Sequence, residues 1–378
     1  MPRRVLFMIS SMRGGGSEQQ TLLLLKHLDR ARFQPHLYLT DKVGQLLGQV
    51  PEDVTIHSFS DRNRKAGIYF PGRILRQQIA HLRDVITREK IEAIYDRTFH
   101  MTMIAGPATA DSGIPRVSTI VSPPDRALPL VESRFVWLKR RRLAHAYQQS
   151  RTVVAVSRQA ARSAQTYYSL RPDSVSVIMN PVDERAIHEA ASRDRPERDD
   201  RVTLVCVARM TSEKGHADLI DALALTEKHW DSDAPVLNVW LIGDGPLRQS
   251  LQSRCRQTIH RHDVQFLGAS TNPAPAIASA DALILPSQFE GMPNVVLEAM
   301  ALGTPVIATR AGGTVELQRD EPTMLLADAC DPESLADAIL KFVDQRDLAR
   351  HYAETATRMI QTHHAVGPTI EKIQRLLE

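Results

Sequence analysis

Two glutamates lie close together in the second half of the chain, on either side of a turn that contains glycine and proline. Glu290 and Glu298 are eight positions apart and follow the apolar run 282–285. Helix-forming residues begin at Val295, so the segment is predicted to be a strand, a turn and a helix N-terminus. The free backbone N–H groups and the positive dipole end of such a helix start suit a phosphate.

Carboxylates would repel that phosphate, so the two glutamates suit neutral hydroxyl groups on either side of it. A ribose diol and a sugar ring both offer hydroxyl donors of this kind. The segment from Ser287 to Met300 therefore predicts a site for a nucleotide-sugar.

Two cations precede the glutamates in the sequence. Arg209 and Lys214 follow the apolar run 202–207 and are five positions apart. In a loop after a strand they could converge on one diphosphate, which Arg binds through two hydrogen bonds and Lys binds as a point charge. A solvated basic loop is the alternative interpretation of the two cations taken alone.

Together with its flanks, the 287–300 segment resembles the glutamate pair of the retaining GT-B nucleotide-sugar glycosyltransferases, of the group 1 or family 4 type. The residues that follow, as far as Glu316, are similar as well. The resemblance extends over nearly the whole chain and is firmest between 202 and 316. It implies an α/β protein with the GT-B fold, in which two doubly wound, Rossmann-like domains face each other across a cleft.

The resemblance also implies a role for each matching residue. Arg209 and Lys214 would neutralise the leaving nucleoside diphosphate, Glu290 would lie near the donor sugar ring, and Glu298 would accept hydrogen bonds from the ribose hydroxyls. The turn and the helix start would contact the phosphate and sugar oxygens, mainly through backbone N–H groups. Their residues are Met292, Pro293, Asn294, Val295 and Val296.

Glycines follow the first predicted strand of each half. Gly15 and Gly16 belong to a three-glycine run, after which Ser17 and Gln20 have capping-box spacing. The resemblance places Gly15 and Gly16 across the cleft from the diphosphate and near the acceptor, and Gly243 beneath the nucleotide. Structural turns are the alternative at both places, since neither the dinucleotide nor the Walker fingerprint is present.

His100 follows an apolar strand-like run and is the candidate first-domain histidine. Many relatives carry a histidine at the end of the next strand, where this chain has no histidine in the segment from Ser118 to Pro124. His100 is therefore interpreted as the substitute that could hydrogen-bond the donor sugar or the acceptor. A packed structural histidine is the alternative.

The length of 378 residues suggests two domains, and alternating strand and helix signals predict parallel sheets covered by helices. We expect an acceptor-binding domain over 1–190 and a nucleotide-sugar-binding domain over 200–360. The polar segment 193–200 is interpreted as the linker between them. A C-terminal helix within 361–378 is expected to pack back on the first domain, as it does in relatives.

Charge is distributed unevenly along the chain. Residues 1–180 carry 27 basic and 14 acidic side chains, whereas residues 181–378 carry 20 and 30. The basic half predicts an anionic partner, such as a phosphate, an acidic acceptor or an anionic membrane, with chance variation of surface charge as the alternative. The basic, aromatic segment 134–142 could lie on such a membrane, or could be an ordinary helix with a solvated basic face.

The predicted function is transfer of a hexosyl group from a UDP- or GDP-sugar to a glycan or lipid-linked acceptor, with retention of anomeric configuration. We expect no metal, no other cofactor and no nucleic-acid partner, and we interpret Asp231 and Asp233 as part of a turn. Three scattered cysteines and the lack of a long apolar run suggest the cytoplasm, with peripheral attachment to the plasma membrane. The alternatives are a nucleotide-sugar epimerase of the same fold and a non-catalytic glycan- or lipid-binding protein.

Overall fold

The computed structural model of the chain describes residues 1–61, 72–132, 134–230 and 235–378. It divides into two compact units, which are described one at a time. Unit 1 comprises Met1–Asn180 and Val366–Glu378, and unit 2 comprises Pro181–Ala365. Asp231 and Asp233, interpreted above as part of a turn, lie outside the described residues.

Unit 1 contains a parallel sheet covered by helices, with elements numbered along the whole chain. Its strands are β1 (Arg3–Ile9), β2 (Phe33–Leu39), β3 (Thr55–Ser58), β4 (Ala93–Arg97), β5 (Arg116–Ile120), β6 (Thr152–Ala155) and β7 (Val175–Val177). Its helices are α1 (Gly16–His27), α2 (Arg73–Glu89), α3 (Phe99–Thr109), α4 (Pro124–Val131), α5 (Val136–Gln148), α6 (Arg158–Tyr168) and α14 (Val366–Leu377). The strand order is β3-β2-β1-β4-β5-β6-β7.

The sheet of unit 1 is buried on both faces, which explains why its strands are apolar runs rather than alternating patterns. On one face, Phe7 and Tyr95 pack in a cluster that also contains Ile370, Ile373 and Leu377 of α14. The last helix of the chain is therefore part of the core of unit 1.

Unit 2 has the same kind of architecture with a six-stranded parallel sheet. Its strands are β8 (Val202–Val207), β9 (Leu237–Ile242), β10 (Asp263–Gly268), β11 (Ala282–Leu285), β12 (Val306–Thr309) and β13 (Leu325–Ala327). Its helices are α7 (Glu184–Ala191), α8 (His216–His229), α9 (Arg248–Thr258), α10 (Ala274–Ser279), α11 (Asn294–Ala301), α12 (Pro332–Asp344) and α13 (Arg346–His363). The strand order is β10-β9-β8-β11-β12-β13.

The boundary between the units differs from the expected one. Unit 1 ends at Asn180 instead of 190, because Val182 forms a β-bridge with Ala365 and α7 packs against α10 and α11. The polar segment 193–200 lies inside unit 2 and is not the boundary. The chain returns from unit 2 to unit 1 between Ala365 and Val366, whereas the C-terminal segment was expected to begin at 361.

Three local features also differ from the sequence-based expectations. The short strands β3 and β13 carry too few residues to give a clear pattern, and neither was expected. The capping box is wrong, because α1 starts at Gly16 with Gly15 as its N-cap and has no side-chain cap. Ser17 is instead inside the first turn, where its carbonyl accepts a hydrogen bond from the Thr21 hydroxyl.

Candidate active site

The loops that carry the predicted site residues of unit 2 meet at one place on its sheet. β8 pairs with both β9 and β11, so the chain order reverses between β8 and β11. In parallel α/β sheets, ligands bind outside the carboxyl ends of the strands at such a switch point. The loop after β8 holds Arg209 and Lys214, and the loop after β11 holds Glu290.

Lys214 and Glu290 form an ion pair across this switch point. The Nζ of Lys214 lies 2.5 Å from Oε1 of Glu290, and the Ser287 hydroxyl donates to the same oxygen at 2.7 Å. The two charged side chains are only 20% and 11% exposed. The geometry therefore fixes one cation and one carboxylate, from different loops, beside each other at the ligand-binding edge.

The backbones of the two loops are also in contact. Gln288 N donates to the Glu213 carbonyl at 2.8 Å, and a Cβ on Gly215 would lie 1.9 Å from the Pro286 carbonyl oxygen. Gly215 has φ +66°, a conformation that disfavours other residues. A glycine at this position therefore permits the approach that brings Lys214 to Glu290.

Arg209 is in the same loop but is held differently. Its side chain is 72% exposed, and its Nη2 lies 3.7 Å from Oε1 of Glu213. The Thr211 hydroxyl donates to that same oxygen at 2.7 Å. Arg209 is thus a largely solvated cation that can reorient toward an anion, whereas Lys214 is already fixed.

The helix α11 begins directly after the Glu290 loop, as expected from the sequence. Pro293 is its N-cap, so Asn294 and Val295 occupy the first turn, where N–H groups lack intrahelical acceptors. Met292 and Val296 are buried, so their side chains belong to the core and only their backbone is available to a ligand.

Glu298 is on the second turn of α11 and is the most perturbed carboxyl of this region. Burial raises the pKa of Glu298 to about 7. Within the described part of the chain, its carboxylate makes no hydrogen bond or ion pair. A partly desolvated carboxylate without an internal partner is suited to accept hydrogen bonds from a ligand.

Gly243 has a clear packing role. A Cβ on Gly243 would lie 1.9 Å from the Ala208 carbonyl oxygen, and its φ is +148°. Its N–H donates to the Gly268 carbonyl at 2.7 Å. Gly243 therefore packs against the start of the loop that carries Arg209. This packing role corresponds to the structural turn that was the alternative interpretation of Gly243.

In unit 1, the glycine run follows β1 at the switch point between β1 and β4. Gly15 has an extended conformation, and a Cβ there would meet only the flexible end of Glu18, at 2.6 Å. The glycine with positive φ is Gly14, at +109°. The need for glycine is thus clearest at Gly14, which was not among the predicted site residues. Gly16 is the first residue of α1.

His100 is the second residue of α3, at the carboxyl edge of β4. Burial lowers its pKa below the usual value, while the nearby carboxylates of Glu132 and Asp41 act in the opposite direction. The imidazole is therefore expected to be neutral at pH 7, with one nitrogen available as an acceptor.

Two neighbours of His100 were missed in the sequence analysis. Thr98 has φ +81°, which is rare for a β-branched residue, and its buried hydroxyl oxygen has no hydrogen-bond partner in the part of the chain that the structure describes. Arg97 ends β4 and is only 4% exposed. A charged residue at the end of an apolar strand was a visible signal for Arg97, whereas nothing in the sequence indicated the backbone conformation of Thr98.

One group of side chains in the described residues could hold a metal ion. Ligand atoms of His36, His57 and Glu89 lie within 4.8 Å of one another. The imidazoles of His36 and His57 are in hydrogen-bonding contact, with Nδ1 and Nε2 3.1 Å apart. They are on β2 and β3 of unit 1, so they do not belong to the Lys214–Glu290 site.

Two sequence families match successive parts of the chain. Residues 14–186 match "Glycosyltransferase Family 4", and residues 188–359 match "Glycosyl transferases group 1". Among similar curated proteins, the lipopolysaccharide core biosynthesis glycosyltransferase LpsE of Rhizobium meliloti is 31% identical over 44% of this chain and 46% of its own length. A GDP-mannose-dependent phosphatidylinositol monomannoside mannosyltransferase of Mycobacterium tuberculosis is 32% identical over 42% of this chain and 43% of its own. The chain thus matches about half the length of these relatives.

Solved structures share the fold over the whole chain. Anabaena HepE in complex with UDP and glucose has a TM-score of 0.80 at 20% identity, covering 99% of both chains. WaaG, a glycosyltransferase involved in lipopolysaccharide biosynthesis, has a TM-score of 0.75 at 14% identity, also covering 99% of both. The expected GT-B fold is confirmed. With both halves matched in order and the parallel sheets described above, the chain belongs to the group 1 glycosyltransferases.

Proposed function

We propose that the chain is a retaining glycosyltransferase that moves a sugar from a nucleoside diphosphate sugar to an acceptor hydroxyl. The observation that carries this proposal is the Lys214–Glu290 ion pair at the switch point of unit 2. The pair holds a cation and a carboxylate beside each other, which suits a diphosphate and sugar hydroxyls, and the start of α11 follows in the same loop.

The chemical requirement is stabilisation of the leaving diphosphate. Cleavage of the bond between the anomeric carbon and the diphosphate oxygen builds negative charge on that oxygen. Lys214, the solvent-exposed Arg209 and the N–H groups at the start of α11 supply positive potential for it. We propose that these groups suffice without a divalent cation or another cofactor, so that activity survives EDTA.

The contacts of Glu290 favour attack from the same face as the leaving group. Its Oε1 accepts hydrogen bonds from both Lys214 and Ser287, which disfavours Glu290 as a covalent nucleophile. We propose that the acceptor oxygen bonds to the anomeric carbon as the diphosphate departs, and that a phosphate oxygen takes the acceptor's proton. An inverted anomeric centre in the product would contradict this mechanism.

The names of related proteins support two donor bases and a class of acceptor. HepE was solved with UDP and with UDP-glucose, and the mycobacterial relative is named as GDP-mannose-dependent. Two rhizobial relatives are named for lipopolysaccharide core biosynthesis. We therefore propose UDP or GDP as the nucleotide and a glycan or glycolipid as the acceptor.

Thermal unfolding with UDP and GDP, in the absence of metal, tests the nucleotide site. At about 100 times its dissociation constant, the correct nucleotide should stabilise the wild type by about 2.7 kcal/mol. Lys214→Ala should abolish most of the shift relative to its own ligand-free melting temperature. Lys341→Ala, which removes an exposed lysine of α12 in the same unit, is the matched control and should keep the shift.

A wild-type protein that responds to neither nucleotide would contradict the transferase proposal. It would favour the non-catalytic glycan-binding alternative instead. An equal shift in wild type and Lys214→Ala would show that the nucleotide binds elsewhere.

We also propose peripheral attachment to an anionic membrane through the start of α5. Phe135 and Trp137 are 66% and 67% exposed, and Arg134, Arg141 and Arg142 around them are exposed too. Exposed aromatic rings beside arginines are typical of surfaces that lie at a lipid interface. In the described parts of the chain, no helix is both long and apolar enough to cross a bilayer.

A further inference from the structure

Arg97 is a buried cation that no described carboxylate neutralises. It is 4% exposed, and its Nη2 donates to the neutral amide oxygen of Asn180 at 3.0 Å. Its Nε is buried and has no acceptor among the residues that the structure describes. No carboxylate of the residues that the structure describes lies within 4 Å of its guanidinium. Burial of a charge in this state is unfavourable unless a partner arrives from outside.

Arg116 shows how the same sheet treats a structural arginine. Arg116 is 2% exposed and also leaves its Nε unpaired. However, its Nη1 lies 3.4 Å from Oδ2 of Asp96 and 3.0 Å from the Ser118 hydroxyl, and its Nη2 donates to the Ala146 carbonyl. The fold therefore provides a carboxylate and two further acceptors for one buried arginine, and only one amide oxygen for the other.

A second unpartnered polar group lies beside Arg97. Thr119 of β5 is in register with Arg97 of β4, and in-register side chains of neighbouring strands project from the same face. Thr119 is fully buried, and within the described ranges of the chain its hydroxyl oxygen has no hydrogen-bond partner. A guanidinium and a hydroxyl donor thus lie side by side, and an anion could satisfy both.

The pair lies at the edge of the sheet where parallel α/β proteins usually bind ligands. Arg97 is the last residue of β4, which pairs with β1 at the switch point of unit 1. The carboxyl edge at the switch point is the usual ligand crevice of a parallel α/β sheet. Arginine recognises phosphate through charge-assisted hydrogen bonds.

We propose that Arg97 and Thr119 form an anion subsite in unit 1 that receives a phosphate group carried by the acceptor. The assignment of the group to the acceptor rests on the proposed transferase function, whereas the anion site itself does not. The proposed subsite predicts that the acceptor is phosphorylated, either as a soluble sugar phosphate or as a lipid with a phosphate headgroup.

The test is thermal unfolding in phosphate against chloride at constant ionic strength. Inorganic phosphate and glucose 1-phosphate should each raise the melting temperature of the wild type by a few degrees, as expected for a ligand at about ten times its dissociation constant. Arg97→Gln should lose this gain. Arg171→Gln, which removes an exposed arginine of unit 1, should keep it.

The ligand-free proteins give a second, independent readout. Arg97→Gln should unfold at the wild-type temperature or above it, because an unpaired buried charge is removed. Arg116→Gln should unfold several degrees lower, because it leaves Asp96 without its cation. A drop for Arg97→Gln as large as that for Arg116→Gln would identify Arg97 as a structural residue and overturn the proposal.

Two versions of the unfolding experiment distinguish a lipid phosphate from a soluble sugar phosphate. Phosphatidylcholine vesicles with and without phosphatidic acid replace the soluble anions. An Arg97-dependent gain with phosphatidic acid identifies a lipid phosphate, and an Arg97-dependent gain with soluble anions alone identifies a soluble acceptor. An equal phosphate gain in wild type and Arg97→Gln, or no gain in the wild type, would overturn the subsite. Failure of the transferase proposal would appear separately, as loss of the UDP or GDP shift.

Discussion

At the scale of single residues, the side chains of the candidate site are distinguished by incomplete internal pairing. Lys214 and Glu290 satisfy each other, whereas Glu298 has no partner in the described chain. The sequence indicated Lys214 and Glu290 as charged residues in loops after apolar strands, and Glu298 as an acid in the helix that follows. It could not predict which of them pair, since pairing depends on the approach of two loops that are about seventy-five residues apart.

The pKa of Glu298 leads to a pH-dependent affinity. Burial raises this pKa to about 7, so in the free protein the carboxyl becomes protonated as the pH falls through 7. Ribose hydroxyls donate to the ionised form, so nucleotide binding favours ionisation. Affinity for UDP or GDP should be constant above pH 8 and fall by up to about tenfold per pH unit below 7.

Isothermal titration of wild type and Glu298→Gln between pH 5.5 and 8.5 measures this effect. The nucleotide itself titrates in this range, so the ratio of the two affinities is the informative quantity. That ratio should favour wild type at pH 8 and approach one near pH 5.5. A ratio that does not change with pH would show that Glu298 does not contact the nucleotide as a carboxylate.

At the scale of elements, the sequence predicted most strands and the position of α11, because buried parallel strands read as apolar runs. It failed at β3 and β13, which are four and three residues long. It also failed at the start of α1, where Gly15 replaces the expected Ser17 cap. A polar N-cap pattern does not reveal whether the backbone enters the helix two residues earlier.

The surface at the start of α5 gives a prediction at this scale. Phe135→Ser with Trp137→Ser should reduce binding to vesicles that contain phosphatidylglycerol, because both exposed rings would lose their burial at the lipid interface. Cosedimentation measures the partition coefficient, which should fall at least tenfold. Ile74→Ser, which removes a 53% exposed side chain of α2, is the matched control. Equal binding of all variants would remove the membrane from the proposed function.

At the scale of the whole molecule, the charge asymmetry follows the division of the chain into two units. Unit 1, with α14 included, carries the excess of basic residues, and unit 2 carries the excess of acidic ones. The asymmetry was visible in the sequence, but the true boundary at Asn180 was not. It depends on the bridge from Val182 to Ala365, which joins positions far apart along the chain.

The return of the chain to unit 1 predicts where a distant mutation acts. Ile373 of α14 is 4% exposed and packs in the cluster that contains Phe7 and Tyr95. Ile373→Ala should therefore destabilise unit 1 by about 2–5 kcal/mol, through lost burial and the cavity that remains. The neighbouring Lys372→Ala removes an exposed side chain of the same helix and should change stability by less than about 0.5 kcal/mol.

Hydrogen exchange read by mass spectrometry locates the effect. Amides of β1 and β4 in Ile373→Ala should exchange at least tenfold faster than in the wild type, because they open with the core that α14 completes. Amides of β8 and β11 should keep their rates, and the UDP or GDP shift should persist, because those strands belong to unit 2. Equal acceleration in both sheets would mean that the two units unfold as one cooperative body. No acceleration in either would mean that α14 contributes little to the core in which it packs.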